Sequence, residues 1–467
     1  MKNIFSTLAA IILLCCFISC DDKKSADLLV YNATIYTVDT AFSTTEAMVI
    51  KDGKILATGK TADLEKKYKT KEKLDAGGKF IYPGFIDAHA HFAGYGTSLQ
   101  RVDLSGTTTW EECLERVKKF AAENKDGWIT GRGWDQNDWP VKAFPGKDEL
   151  DTLFPDRPVL LGRIDGHAAI ANQKALDLAG IKPADTLTGG EIEEQEGSLT
   201  GILIDNAIDL VSNKIPAASD EQVKKGLLAA QQNCFATGLT TISDCGLSYS
   251  TVNIIRAMQD SDQLKMRLYV MLSDEAANYE YAAKEGMIKT DRLNVRAFKV
   301  YGDGALGSRG ACLLQPYSDK PGHYGFLLST VTHFDSVAAW MKNKGWQMCT
   351  HAIGDSGNRT ILNIYAKYLE GKNDLRWRIE HAQVVNPADF SLFGQYSIIP
   401  SVQPTHATSD MYWAADRLGA DRVKGAYAYK QLLQQNNWLP LGTDFPVEDI
   451  SPFKTFYAAV VRQDAKG

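Results

Sequence analysis

The sequence predicts an α/β protein: a (β/α)8 TIM barrel, preceded by a small β-sandwich-like subdomain and carrying a long insert after its first strand. The first observation is that apolar, β-rich runs alternate with helical patterns from residue 83 onward, which is typical of a parallel α/β fold. The second is the length of 467 residues, enough for one large core plus a minor domain. The third is a hydrophobic content of 44% with 23% charged residues, the balance of a globular chain rather than a disordered or fibrous one.

The N-terminus is predicted to be a targeting segment. Lys2 precedes an apolar run at residues 8–18, which is shorter than the roughly 20 residues that a membrane-spanning helix needs. The segment FISC ends at Cys20 and resembles a bacterial lipobox. We therefore expect a signal peptide at residues 1–19, a tether at residues 20–27, and a lipid on Cys20 that anchors the protein in the bacterial cell envelope. The alternative is ordinary signal-peptidase cleavage, which would give a soluble secreted or periplasmic protein.

The β subdomain is expected at residues 28–82, where strand-like runs alternate with Lys-Asp-Gly and Gly-Gly turns. The barrel is expected at residues 83–467. Its eight strands are predicted at residues 85–89, 239–243, 266–272, 295–300, 346–351, 376–381, 397–402 and 438–442.

A long insert separates the first two of these strands. About 150 residues lie between them, far more than one crossover connection needs. We expect the insert, at about 95–235, to cap the barrel mouth, with a separate domain as the alternative. It contains a predicted helix at 110–123, opened by the capping-box pair Thr109 and Glu112.

Charge and cysteine content exclude two classes of protein. The net charge is −6 and no block of basic residues is present, so a nucleic-acid partner is not expected. The five cysteines after Cys20 form no CxxC pair and are odd in number, which indicates neither a disulfide framework nor a zinc–cysteine cluster.

Histidines concentrate at the carboxyl ends of the predicted strands. His89 and His91 are two apart after the first strand, so both imidazoles can face one metal ion. His351, His381 and Asp444 fall at or just after the ends of later strands, on the face where barrel active sites form. The alternative is that these are core histidines with satisfied hydrogen bonds.

Five motifs in order, PGFIDAHAH, FKVYGDGALGSRG, THAIGD, RIEHAQ and LGTDFP, resemble the metal-dependent amidohydrolase superfamily. More narrowly, they resemble its amidohydrolase-3 group, which includes the N-substituted formamide deformylases. The resemblance implies two divalent ions, zinc being expected, with His89 and His91 on one ion and His351 and His381 on the other. It implies that Lys299 bridges the two ions as a carboxylated lysine, and that Asp444 binds metal and transfers the catalytic proton.

From the residues alone, Lys299 could instead be a strand-end lysine paired with Asp303. Glu380, next to His381, is expected to point away from the metals by strand alternation. Five further side chains are substrate-binding candidates: Asp165, His167, Arg309, His406 and Trp134. Their alternatives are loop structure for the first two, an ion pair for Arg309 and aromatic packing for Trp134.

The expected activity is hydrolysis of non-peptide C–N bonds, in amides or formamides, by metal-activated water. An ester or phosphoester hydrolase is the alternative within enzymes, and a non-catalytic small-molecule-binding lipoprotein is the alternative outside them. We expect a small-molecule substrate and membrane contact through a lipid anchor on Cys20. The sequence leaves open whether the protein forms a homo-oligomer. Members of the resembling group continue well beyond the last barrel strand, so a truncated C-terminus is also expected.

Overall fold

A computed structural model describes residues 23–125, 127–216 and 218–467. The predicted signal peptide and Cys20 lie outside the described residues. The chain divides into two compact units between Gly84 and Phe85, two residues beyond the expected boundary of the β subdomain. Among the described residues, no helix has the length and apolar character that a membrane crossing requires.

The first unit is almost entirely β structure. It forms two sheets, with strand orders β5-β4-β1-β6 and β3-β2-β7. Its elements are β1 (Lys24–Tyr31), β2 (Thr34–Tyr36), β3 (Thr44–Thr45), β4 (Ala47–Lys51), β5 (Lys54–Gly59), α1 (Thr61–Lys67), β6 (Tyr68–Asp75) and β7 (Phe80–Ile81).

The expected tether at residues 20–27 is wrong for its last four residues, which belong to β1. Ala26 of this stretch is buried, and Lys24 lies in parallel register with Tyr68. Pairing with β6 therefore extends the strand before the apolar run that predicted it.

The second unit opens with β8 (Phe85–Ala90) and α2 (Phe92–Ser98), and the insert follows directly. The insert is a six-stranded mixed sheet in the order β13-β14-β12-β11-β10-β9. Its elements are β9 (Val102–Asp103), α3 (Trp110–Glu123), β10 (Ile129–Trp134), α4 (Asp148–Leu153), β11 (Val159–Arg163), β12 (Ala168–Ala171), α5 (Gln173–Ala179), β13 (Gly190–Gln195), β14 (Ser198–Asp205) and α6 (Asn206–Ser212). The predicted helix at 110–123 is confirmed, and the Thr109 side chain accepts a hydrogen bond from the backbone N–H of Glu112 at 3.2 Å.

The barrel occupies the rest of the unit and confirms the predicted fold class. Its strands run parallel in the order β8-β15-β16-β18-β19-β20-β21, with helices between them. The elements are α7 (Asp220–Ala236), β15 (Leu239–Leu247), α8 (Tyr249–Asp260), β16 (Arg267–Ser273), α9 (Ala276–Glu285), β17 (Ile288–Lys289), β18 (Leu293–Tyr301), α10 (Val331–Lys344), β19 (Gln347–Ala352), α11 (Asp355–Leu369), β20 (Arg378–His381), α12 (Phe390–Gln395), β21 (Ile399–Ser401), α13 (His406–Ser409), α14 (Ala414–Arg422), α15 (Tyr429–Asn436) and α16 (Pro452–Val461). Every residue of β19 is buried, as expected for a parallel strand that is covered on both faces.

The eighth predicted strand, 438–442, is not a regular strand. Leu441 forms a single parallel bridge with Val402, and its carbonyl accepts from the N–H of Ala88 at 3.1 Å. The segment therefore closes the barrel between β21 and β8. Pro440 has no N–H to donate to a ladder, which limits regular pairing. A side chain at Gly442 would lie 2.6 Å from the backbone nitrogen of His89, so only glycine allows this close approach.

Candidate metal centre

The side chains predicted from the strand ends meet at one rim of the barrel. They surround a cavity of about 490 Å³ whose walls come from both the barrel and the insert. The lining includes His91, Lys299, His351, His381, His406 and Asp444. His89 lies directly beneath this lining and is fully buried. The cavity is therefore the place where the polar groups of β8, β18, β19 and β20 can act together.

One group of possible ligands consists of His89, His91 and Asp444. Oδ1 of Asp444 lies 3.5 Å from Nε2 of His89 and 3.3 Å from Nε2 of His91. This carboxylate oxygen is buried and has no hydrogen-bond partner among the described residues. A buried, unpartnered anion facing two imidazole nitrogens is costly by itself and is the donor set that a divalent cation prefers. The residues therefore fit a metal ion.

The outer nitrogens of both imidazoles are held by hydrogen bonds. Nδ1 of His89 lies 2.5 Å from Oε2 of Glu380, and Nδ1 of His91 donates to the carbonyl of Cys245 at 3.0 Å. Such partners fix the proton on Nδ1 and leave the Nε2 lone pair for a cation. Burial, together with the nearby Lys299, lowers the pKa of His89 to about 4, which favours the neutral ring that binds metals.

Glu380 does not point away from the metals, so this expectation from strand alternation is wrong. Nη2 of Arg378 donates to its Oε2 at 2.8 Å, and His89 contacts the same oxygen. Burial opposes ionisation, but Arg378 and His89 outweigh it and hold the pKa of the Glu380 carboxyl well below its usual value. His381 has a backbone φ of 72°, so the chain leaves strand geometry there. The side chains of Glu380 and His381, although adjacent in sequence, can therefore both face the site.

A second group of possible ligands consists of His381, His406 and Asp444. Nε2 of His406 lies 3.2 Å from Oδ2 of Asp444, while Nδ1 of His381 is 2.7 Å from Oε1 of Gln403. The family resemblance implied that His381 shares an ion with His351, whose ring centroid lies 4.6 Å from that of His381. His406, expected only to touch substrate, thus shares the carboxylate of Asp444 with the metal candidates.

His406 is also linked to the outer wall of the cavity. Its Nδ1 lies 3.1 Å from Oε1 of Glu448. Burial disfavours the charged ring, but hydrogen bonds with Asp444 and Glu448 outweigh it and raise the pKa of His406 well above its usual value. The imidazole therefore fixes the orientation of the Asp444 carboxylate.

Lys299 is almost completely buried, with Nζ 3.4 Å from Nε2 of His89. The alternative pairing with Asp303 is wrong, because that carboxylate serves the backbone. It accepts hydrogen bonds of 2.8–2.9 Å from the N–H groups of Cys312, Ile353 and Gly354. Burial raises the pKa of Asp303 to about 7. No carboxylate lies within ion-pair distance of the Lys299 nitrogen in the described part of the chain.

Two of the substrate-binding candidates come from the insert and line the cavity: Asp165 and His167. Nδ1 of His167 lies 2.5 Å from Oδ1 of Asp205, a residue that the sequence reasoning missed. A side chain at Gly304 would come within 2.3 Å of the other Asp205 oxygen, so glycine there makes room for the carboxylate. His167 and Asp205 are 38 positions apart, a separation that gives no spacing signal for this pair.

Of the remaining three candidates, His406 lines the cavity, whereas Trp134 and Arg309 do not. The Trp134 side chain is fully buried, and its indole N–H donates to the carbonyl of Leu161 at 2.8 Å. Arg309 forms an ion pair of 2.8 Å with Asp319. The structure thus places both in their alternative roles, aromatic packing in the insert and an ion pair.

Fold and site together define a barrel protein with an imidazole- and carboxylate-rich centre that fits a divalent metal. The sequence model of the amidohydrolase family matches residues 72–467, and the chain belongs to that family. Protein LONG AFTER FAR-RED 3 of Arabidopsis thaliana is 33% identical, over 94% of this chain and 78% of that protein. The N-substituted formamide deformylase of Arthrobacter pascens is 24% identical, over 94% of this chain and 84% of the enzyme.

The fold is likewise similar to that of a solved hydrolase. The crystal structure of a metal-dependent hydrolase from Pyrococcus horikoshii aligns with a TM-score of 0.75 and 27% identity, over 93% of this chain and 86% of that one. Membership in the family and this likeness support dependence on a divalent metal.

Proposed function

We propose that this protein hydrolyses non-peptide C–N bonds in small N-acyl or N-formyl amides. The observation that carries the proposal is the position of Asp444, whose free Oδ1 lies between two imidazole nitrogens at the cavity wall. The similarity to an N-substituted formamide deformylase supports the choice of bond.

We propose that the site holds two divalent ions, most suitably zinc, because imidazoles and carboxylates together suit that ion. The residues that would hold them are His89, His91, Lys299, His351, His381 and Asp444. A divalent ion bound here supplies a Lewis acid that polarises the scissile carbonyl and makes water nucleophilic near neutral pH.

Lys299 supports this arrangement as a carboxylated side chain. The ammonium first loses a proton to solvent. The free amine then attacks CO₂, an N–C bond forms as one C–O π bond opens, and a second proton leaves to solvent, so an anionic carbamate replaces the ammonium group. The Lys299 nitrogen forms no ion pair among the described residues and lies 3.4 Å from Nε2 of His89, so a carbamate on it would lie beside a metal-ligand candidate.

Asp444 performs the proton transfers. His406 contacts its Oδ2 at 3.2 Å and so leaves Oδ1 directed toward the cavity. Oδ1 accepts a proton from the attacking water and returns it to the leaving nitrogen, which departs as an amine. The remaining product is the carboxylic acid or formate.

A substrate panel tests the proposal. Metal-loaded protein is assayed with N-formyl amines, N-acetyl amines, carboxylic esters and phosphoesters that share one leaving-group skeleton. We expect the amides to be hydrolysed with the highest kcat/KM. Turnover of esters or phosphoesters without amides would replace the proposal with the alternative activity, and tight binding without any turnover would favour a binding protein.

A further inference from the structure

Arg132, in β10 of the insert, is a cation placed at the junction of two cavities. It lines the catalytic cavity together with Lys299, Tyr301 and Asp444. It also lines a neighbouring cavity of about 470 Å³, and Ile164, Val447 and Glu448 are shared by the two linings. A group bound to Arg132 can therefore belong to a molecule that reaches the metal centre.

The guanidinium of Arg132 is held in place but not neutralised. Its Nε and Nη2 donate to the carbonyl of Ile164 at 3.3 and 2.9 Å, which occupies only the side edge of the group. Among the described residues, no carboxylate lies within ion-pair distance of it. The end edge, formed by Nη1 and Nη2, is one of the two edges of a guanidinium that can bind a carboxylate through two parallel hydrogen bonds.

Arg163, on the same cavity wall, provides the contrast. Its guanidinium is bracketed by Asp135 and Asp165 and also donates to Gln136 at 2.8 Å. Arg163 is therefore already compensated, whereas Arg132 keeps its charge available. Asp165, the acidic residue with the largest influence on Arg132, is occupied by Arg163.

A second arginine strengthens the positive field. Arg101 lines the neighbouring cavity beside Arg132, and it forms no ion pair among the described residues. Burial lowers the pKa of the Arg132 guanidinium, whereas Arg101 lies at a solvent-exposed position. Neither guanidinium has a carboxylate partner among the described residues, so an anion bound at this cavity would be attracted by both.

We propose that Arg132, assisted by Arg101, binds a carboxylate on the substrate, so the substrate class is an N-acylated amine that also carries a carboxylate. This inference rests on the proposed amide hydrolysis and adds the part of the substrate that does not react. The remainder of the substrate packs in the neighbouring cavity against apolar side chains such as Leu99, Phe445 and Ile450.

The test uses pairs of compounds that differ only in the charge at one end. Formamidoalkanoates of increasing spacer length are compared with the matching formamidoalkane carboxamides, on metal-loaded wild type and Arg132→Met. For the best spacer we expect wild type to prefer the carboxylate in kcat/KM by about 10- to 100-fold, the value of a charge-assisted arginine contact. Arg132→Met should remove this preference, measured as the ratio of the two kcat/KM values within each protein.

Two further variants guard against loss of folding and against general charge effects. Arg101 lies at a solvent-exposed position, so Arg101→Met should fold, and we expect it to reduce the carboxylate preference by a few-fold. Arg256→Met, on the exposed face of α8, should change nothing. A preference that is absent in wild type, or retained in Arg132→Met, would overturn the inference.

Calorimetric binding of the same pairs separates this inference from the proposed function. Carboxylate contact with the metals contributes equally in wild type and Arg132→Met, so the difference between the two proteins reports Arg132 alone. If the formamide bond is hydrolysed equally well in the carboxylate and the carboxamide compounds, only the role of Arg132 is contradicted. A carboxylate preference in binding, lost in Arg132→Met but without turnover of any amide, contradicts only the proposed reaction.

Discussion

Glu380 and His89 form a buried pair in which Oε2 of the carboxylate lies 2.5 Å from Nδ1 of the imidazole. The two residues are 291 positions apart, and the barrel brings together the strands that carry them. The pair directs Nε2 of His89 toward Asp444 and the cavity. Arg378 holds Glu380 ionised, so the imidazole keeps its Nδ1 proton and presents a lone pair to the metal position.

The first prediction concerns this pair. Glu380→Gln keeps a side-chain acceptor for Nδ1 but removes the negative charge, so we expect metal affinity to fall by about 10- to 100-fold. Competition with a chromophoric chelator measures the dissociation constant. Glu221→Gln, at an exposed position of α7, is the matched control and should bind metal as wild type does. Unchanged affinity in Glu380→Gln would show that Glu380 only supports the barrel.

The second prediction concerns Lys299. Elemental analysis should find about two divalent ions per chain in wild type, because six ligand groups are too many for one tetrahedral site. Lys299→Ala should lose metal and activity, since the anionic bridge is absent. Lys299→Arg should not restore them, because a guanidinium stays cationic and forms no carbamate.

Two measurements make the Lys299 prediction specific. After equilibration with ¹³C-labelled bicarbonate, wild type should show a carbamate resonance that Lys299→Ala lacks. Short carboxylic acids should partly restore activity to Lys299→Ala by supplying an external anion. Lys289→Ala, at an exposed position of β17, is the control. Full metal content and turnover in Lys299→Arg would reduce Lys299 to a structural role.

The third prediction concerns the proton transfers at Asp444. Asp444→Asn can still contact His406 but cannot accept a proton, so kcat should fall by about 10²- to 10⁴-fold at saturating metal. Circular dichroism should show an unchanged fold. Asp421→Asn, whose side chain is 97% exposed, should retain wild-type kcat. A kcat near the wild-type value in a metal-saturated Asp444→Asn protein would assign the proton transfers to another group.

The fourth prediction concerns Cys20, which lies outside the described residues. If Cys20 carries a lipid, wild type expressed in a bacterial host sediments with membranes, and Cys20→Ala moves to the soluble fraction. Cys113→Ala leaves the targeting segment unchanged and serves as the control. Mass spectrometry of the mature N-terminus distinguishes lipidation from ordinary cleavage, and a soluble, unlipidated wild type would contradict the prediction.

Much of the barrel was predictable because its signals are local. Apolar runs of strand length alternate with helical patterns. The start of the helix at 110–123 is indicated by the capping residues Thr109 and Glu112. The strand-end positions of His89, His351 and His381 were equally readable, since parallel strands in a barrel place their carboxyl ends on one rim. For these strands, helices and strand-end histidines, the pattern of neighbouring residues in the sequence is sufficient to predict where they lie in the barrel.

The hydrogen-bond partners of the metal-ligand candidates, and the pairing of charged side chains around the cavity, depend on contacts between distant segments. Glu380 contacts His89, and His381, where the chain leaves strand geometry, lines the cavity as well, which no alternation rule anticipates. Asp303 serves three backbone N–H groups rather than Lys299, and Trp134 fills the insert rather than the cavity. Whether a charged side chain is compensated depends on which groups packing brings within a few ångströms, and residue order along the chain does not encode those distances. Arg132 and Arg163 illustrate this: both are arginines on neighbouring strands of the insert, yet only one of them has carboxylate partners.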